Sequence, residues 1–219
     1  MKKHEDIEAA LSALFSAERD ARARHDELTA HAAGDRAGLL TCLAGAVAAA
    51  SALDDEDEAS LRLVATARLL GELDGGDVVD ALIDVLDTPF PEARSEAGEQ
   101  LQGLAFDRFK EVALGVERAL AKKPVGSPCL VELPYILSDV PEGGVVKLLG
   151  LFLRLEDADG VAAAIEALVT VGDEAAVKLL APLQGDTRMS VVGEDEERNE
   201  ISIGELAAEA IELFQQRGA

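Results

Sequence analysis

Residues 62–88 read RLVATARLLGELDGGDVVDALIDVLDT. Two apolar segments at helical spacing flank Asp74-Gly75-Gly76, where the glycines let the chain reverse. Asp77 is suited to cap the second segment, and Pro89 and Pro91 stop it because proline cannot continue the backbone ladder. The unit then recurs. Leu69, Leu101, Leu133 and Ile165 are spaced by a constant 32 residues, each preceded four positions earlier by a smaller side chain: Ala65, Ala97, Cys129, Val161. Four positions after each lies Leu73, Ala105, Leu137 or Val169. A second ladder follows at Val79, Val112, Val146 and Val177. A period of this length marks an array of helix pairs, each burying its apolar face by stacking on the next. The expectation is an all-α protein, an α-solenoid of about five helix pairs, with all four residues of the first ladder buried between units.

Working outward, the pairs fall at about 57–73 and 77–87, 91–104 and 107–122, 129–138 and 142–155, and 160–171 and 174–184. Before them, residues 4–31 read as one long helix, or one broken near Asp20, with Ile7, Leu11, Leu14 and Phe15 at helical spacing. A second helix spans about Asp35 to Ala52, with Leu39, Leu43 and Val47 inward. Asp54 to Glu58 forms an acidic connector that enters the next helix, where carboxylates suit the positive end of the dipole. After the pairs, Met189 to Val192 and Glu200 to Ile203 are β-prone runs around a polar centre, Gly193 to Asn199, and read as a hairpin. A closing helix restores the apolar spacing with Ala207 and Ile211. The organisation expected is one domain over residues 1–219: capping helices in 1–56, regular repeats in 57–187, hairpin and closing helix in 188–219.

The residues 62–88 and the string GVAAAIEALVTVGDEAAVKLLAPLQGDTR resemble HEAT repeats of the phycobilisome-lyase type. The matching features are Ala65 and Ala67 (or Ala163 and Ala164), the turn after the first helix and the apolar second helix. The resemblance covers about Ala59 to Thr187 and extends more weakly to the C-terminal end; Pro134 inside a first helix departs from the pattern. It implies a solenoid with first helices on the convex face and second helices on the concave one. It implies no catalytic residue, since HEAT-like proteins include scaffolds, adaptors, bilin-lyase subunits and DNA-repair enzymes.

Charge narrows the choice. Forty-three acidic residues against 20 basic give a formal net charge of −23, a field that repels phosphate backbones and anionic lipid. Unaided nucleic-acid or membrane binding is therefore not expected, and a basic protein is the favoured partner. Asp77, Asp80, Asp84 and Asp87, spaced three, four and three, form one carboxylate stripe on a helix whose Val79, Leu82, Ile83 and Leu86 turn inward. No Lys or Arg is interleaved on that helix. Glu194, Asp195, Glu196 and Glu197 at the hairpin tip form a second acidic cluster. These eight residues are the candidate partner-binding set.

Other chemistry finds no anchor. His25 and His31 lie about 240° apart around a helix and cannot share a metal on one face, so no metal or other cofactor is expected. Gly75-Gly76 and Gly143-Gly144 sit at turns, not in a phosphate loop, and Asp54 to Glu58 lacks the alternation and central glycine of a calcium loop. No nucleophile–base pair is evident, and no catalytic residue is assigned. Cys42 and Cys129 are isolated thiols, which fits a reducing compartment. Acidic residues from Glu5 onward interrupt any leader core. The longest uncharged run, Gly38 to Leu53, is shorter than the ~20 residues that span a bilayer. The sequence-based expectation is a cytoplasmic, non-catalytic adaptor or inhibitor holding a basic protein, as an immunity protein or a nucleic-acid mimic does. A bilin-lyase subunit is the alternative, and the oligomeric state is open.

Overall fold

A computed structural model describes residues 2–192 and 199–217. In chain order the elements are α1 (Lys2–Ser51), α2 (Glu56–Gly71), α3 (Gly76–Leu86), α4 (Pro91–Lys122), α5 (Pro128–Ser138), α6 (Val145–Phe152), α7 (Ala158–Val171), α8 (Ala176–Leu180), β1 (Met189–Val192), β2 (Asn199–Ser202) and α9 (Ile203–Arg217). A short 3₁₀ turn, Ala181–Leu183, follows α8. The protein is thus mostly helical with one small antiparallel sheet, in which Met189 pairs with Ser202 and Val192 with Asn199.

Two long helices each contain a break. Asp35 leaves helical geometry at φ −145°, ψ 73°, and its carboxylate accepts the Gly38 amide at 2.9 Å, so it caps a new helical start. Arg108 likewise leaves helical geometry inside α4, at φ −142°, ψ 50°. Both breaks fall at the expected helix boundaries; the alternative break near Asp20 is absent, because α1 runs through it. Elsewhere the ends follow local chemistry. Asp55 caps α2 by accepting the Glu58 amide, and Asp157 caps α7 by accepting the Gly160 amide. Ser202 and Glu205 form a reciprocal capping box at the start of α9. Asp77 is not the cap of α3: Gly75 holds that position at φ +108°, a conformation few residues other than glycine adopt, and Asp77 lies one residue inside the helix.

Packing proceeds in order along the chain. α2 lies against α1 and α4, α5 against α4 and α7, and α7 against α9, while α3 lies against α4, α4 against α6 and α6 against α8. A single apolar core runs from Leu39 on α1 to Phe214 on α9. Leu101, Leu133 and Ile165 are buried in it, as the 32-residue ladder requires.

Its first rung is different. Leu69 is only partly buried and Ala65 is exposed. The buried face of α2 carries Ala59, Leu63, Ala67 and Leu70, which stand 34 residues before the buried Ala93, Ala97, Leu101 and Leu104 of α4. The step from α2 to α4 is therefore two residues longer than the later ones. The helix is turned so that Leu70, not Leu69, points into the core.

Candidate functional site

The carboxylate stripe lies along α3, opposite the face that buries Val78, Val79, Leu82, Ile83, Val85 and Leu86. Its four residues do sit on one side, and each meets a cation supplied by another helix. Arg36, just past the α1 break, grips Asp77 with two guanidinium nitrogens at 2.8 and 3.1 Å and also donates to the Asp74 carbonyl. Arg118 on α4 donates to both oxygens of Asp80, each at 3.0 Å, and to the Gly76 carbonyl at 3.0 Å. Lys123, just past the end of α4, bridges Asp84 at 2.8 Å and Asp87 at 2.9 Å. Asp87 also accepts the Cys129 amide at 3.3 Å. The mutual repulsion of like charges at this helical spacing is thus relieved from outside the helix.

The electrostatics follow from this pairing. The hydrogen bond from Arg36 holds the Asp77 carboxyl below its usual range despite partial burial, and Asp77 in turn raises Arg36. Burial pulls the Lys123 ammonium down, but the bonds from Asp84 and Asp87 outweigh it and the net direction is upward. Burial raises the Cys129 thiol beside Asp87, so it is an unreactive thiol. Asp87 is largely enclosed at 18 % exposure; Asp77, Asp80 and Asp84 remain between 44 and 60 % exposed even while paired.

Between α3 and α4 these pairs border a shallow cleft of about 200 Å³, lined by Asp80, Ile83, Asp84, Arg118, Lys122 and Lys123. Three cations therefore face two carboxylates there, and the cleft is not an acidic trough. A second cluster continues the pairing at the turn: Arg108 contacts Asp74 and Glu111, and Glu111 accepts the Gly75 amide at 3.2 Å. Such a lattice joins α1, the α2–α3 turn and α4. It can hold helices in register or exchange its cations for others; it offers no nucleophile or proton relay.

The other four candidates, Glu194, Asp195, Glu196 and Glu197, lie outside the described residues. The hairpin base beside them is fixed. The buried Ser190 donates to Asp159 at 2.7 Å, Arg188 pairs with Asp186, and the Ile203 amide bonds the Arg188 carbonyl at 2.9 Å. This base packs on α7 and α9, whereas α3 packs on α1, α2, α4 and α5. The hairpin base and α3 belong to different parts of the packing order.

Reading α3 alone missed Arg36, Arg118 and Lys123. The second apolar ladder carried the signal, because its step of 33 residues from Val79 to Val112 sets the second half of α4 beside α3. Carried three to six residues further, that pairing brings Arg118 and Lys123, 36–39 residues on, alongside the stripe. Among the described residues no group of three His, Cys, Asp or Glu could hold a metal ion, and no helix is long and apolar enough to cross a membrane. No family model, curated protein or solved structure matches this chain.

Proposed function

We propose that this chain is a non-catalytic protein-binding module, a cytoplasmic adaptor or inhibitor built as a HEAT-like α-solenoid, and that its partner is a basic protein. The solenoid reading is supported by the sequential packing of helices and by the recurring buried ladder. The basic partner is supported by one observation above others: the α3 carboxylates stay roughly half exposed within their ion pairs. Exposed pairs of this kind contribute only about 0–1 kcal/mol, so exchanging an internal cation for a partner's Lys or Arg is close to neutral. The excess of 43 acidic over 20 basic residues then steers encounter.

Neutralisation tests this more cleanly than charge reversal, which would set a lysine against Arg118. Asp80→Asn with Asp84→Asn should slow association with a basic partner captured from the native host by about tenfold at low salt. Glu209→Gln with Glu212→Gln on α9 removes the same charge elsewhere and should change it less than twofold. Equal loss from both pairs would leave only general charge and would remove α3 as the site.

A further inference from the structure

Ile7, Leu11, Leu14 and Phe15 on α1 are between 46 and 57 % exposed. They are large apolar side chains on one face of a helix, and nothing in the described chain covers them. α1 first engages the rest of the protein at His25, whose ring bonds Glu72 at 2.6 Å, and at Thr29, which donates to the same carboxylate at 2.9 Å. From His4 to Arg24 every side chain described is exposed. The stripe continues at a 3.5-residue period through Glu18, Ala21, His25 and Leu28, the seam pattern of a paired helix. Its later part borders a groove of about 540 Å³ between α1 and α2, with Ala21, Leu28, Ala65 and Leu69 as floor and Arg22, Arg24 and Arg68 at the rim.

We propose that a second copy of this chain covers the stripe, the two α1 segments lying antiparallel across a two-fold axis so that each copy's residues 4–15 fill the other's α1–α2 groove. Three observations commit the surface to this occupant. Charge is the first. Residues 1–33 hold five basic and seven acidic side chains, so nearly all of the net −23 lies elsewhere, and this is where two acidic copies can approach. Flank complementarity is the second. Glu8, Phe15 and Arg22 follow one another at seven-residue intervals along the same edge of the seam. In the antiparallel register where facing positions sum to about 32, Leu11 meets the second copy's Ala21, and Ile7 its His25. The same register sets Glu8 beside the second copy's Arg22 and brings the two Phe15 rings together at the axis. Arg22 has no ion pair among the described residues, so it is available for this contact. Continuity is the third: stripe and groove are one surface, which satisfies the self-complementarity of a two-fold interface. Glu18 and His25 interrupt the seam, so the dimer is of moderate strength, dissociating in the micromolar range.

The test is the mass of the full chain in solution by light scattering and sedimentation across micromolar concentrations. Twice the 23.0 kDa chain is expected, with Leu11→Asp giving a monomer of unchanged helical circular dichroism. Glu8→Arg should weaken the dimer about tenfold, and Glu8→Arg combined with Arg22→Glu should restore it to within about threefold. The register is read by a short bis-maleimide in a Cys42→Ser background. Phe15→Cys should cross-link to its own copy, the two sites being about 3 Å apart along the axis, whereas Ile7→Cys should not, at about 27 Å. A wild-type chain that stays monomeric, a dimer that survives Leu11→Asp, or equal cross-linking at both positions overturns the proposal. Because none of these readouts involves α3 or a basic partner, their failure is distinct from that of the proposed function.

Discussion

Leu69 and Leu70 are adjacent, identical in chemistry and placed by the structure in different surroundings, so truncating each in turn tests how α2 is rotated. Leu70 is fully buried within the α1–α2–α4 core. Leu70→Ala removes three carbon atoms from a site with packed neighbours on all sides, adding an unfilled cavity to the lost transfer energy; such changes cost roughly 2.7–5 kcal/mol. Leu69 borders the open α1–α2 groove and is partly solvated already. Its truncation loses a fraction of the roughly 1.5–3 kcal/mol that full burial of a leucine contributes, about 1 kcal/mol, and leaves no closed cavity. Both changes put alanine in the same helix, so the propensity gain is common to the two and cancels in the comparison. At about 2–4 °C per kcal/mol for a chain of this size, the thermal midpoint should fall by roughly 5–20 °C for Leu70→Ala and by about 2–4 °C for Leu69→Ala. Differential scanning calorimetry on both variants decides it. If Leu69→Ala costs as much as Leu70→Ala or more, the 32-residue period is obeyed from α2 onward and the rotation described for that helix is wrong.

Two further outcomes follow from polar contacts. Asp157 is buried, caps α7 through the Gly160 amide at 2.8 Å and accepts the Gly126 amide at 2.5 Å, tying the α4–α5 loop to the start of α7. Asp157→Ala should cost about 1–2 kcal/mol and Asp157→Asn less than half of that, since asparagine caps nearly as well; equal losses would exclude capping as the cause. Hydrogen bonding to Arg188 holds the Asp186 carboxyl below its usual value of 3.8 against a smaller opposing effect of burial. A carboxylate depressed in the folded state contributes stability above its unfolded pKa and loses it as pH falls through the lower folded value. The stability difference between wild type and Asp186→Asn, followed by urea denaturation from pH 6 downward, should therefore shrink below about pH 4. A difference constant with pH would show that the pair is not what titrates.

Much of this fold was legible because its signals are local. The expected breaks at Asp35 and near Asp107, the glycine turn, the proline stops and the first hairpin strand depend on residues within a few positions of one another, and all are found. The second strand, expected at Glu200 to Ile203, lies one residue earlier, because Ile203 opens α9. The rotation of α2 was not legible, for a reason internal to the pattern. Leu69 and Leu70 offer the same apolar surface at consecutive positions, and so do Leu63 and Val64, so two helical faces 100° apart satisfy the spacing equally well. What selects one is packing against α1 and α4, which is tertiary.

The charge reading of α3 was incomplete in a related way. Within α3 the four aspartates read as an unrelieved acidic face, because every cation that meets them is 36–41 residues away. Where the partners of a helix face lie on helices this far away in sequence, a local charge run overstates how acidic that face is. The same reasoning applies in reverse to α1. Its apolar stripe was readable as amphipathic, and a capping role would have hidden it; instead the segment from His4 to Arg24 extends past α2 and leaves the stripe in solvent. The net charge of −23 is thus unevenly spread. The α3 carboxylates are largely matched by Arg36, Arg118 and Lys123, and the charges on the projecting part of α1 are close to balanced. In the proposed dimer a second acidic copy approaches at α1, and the proposed basic partner would compete with Arg36, Arg118 and Lys123 for the carboxylates of α3.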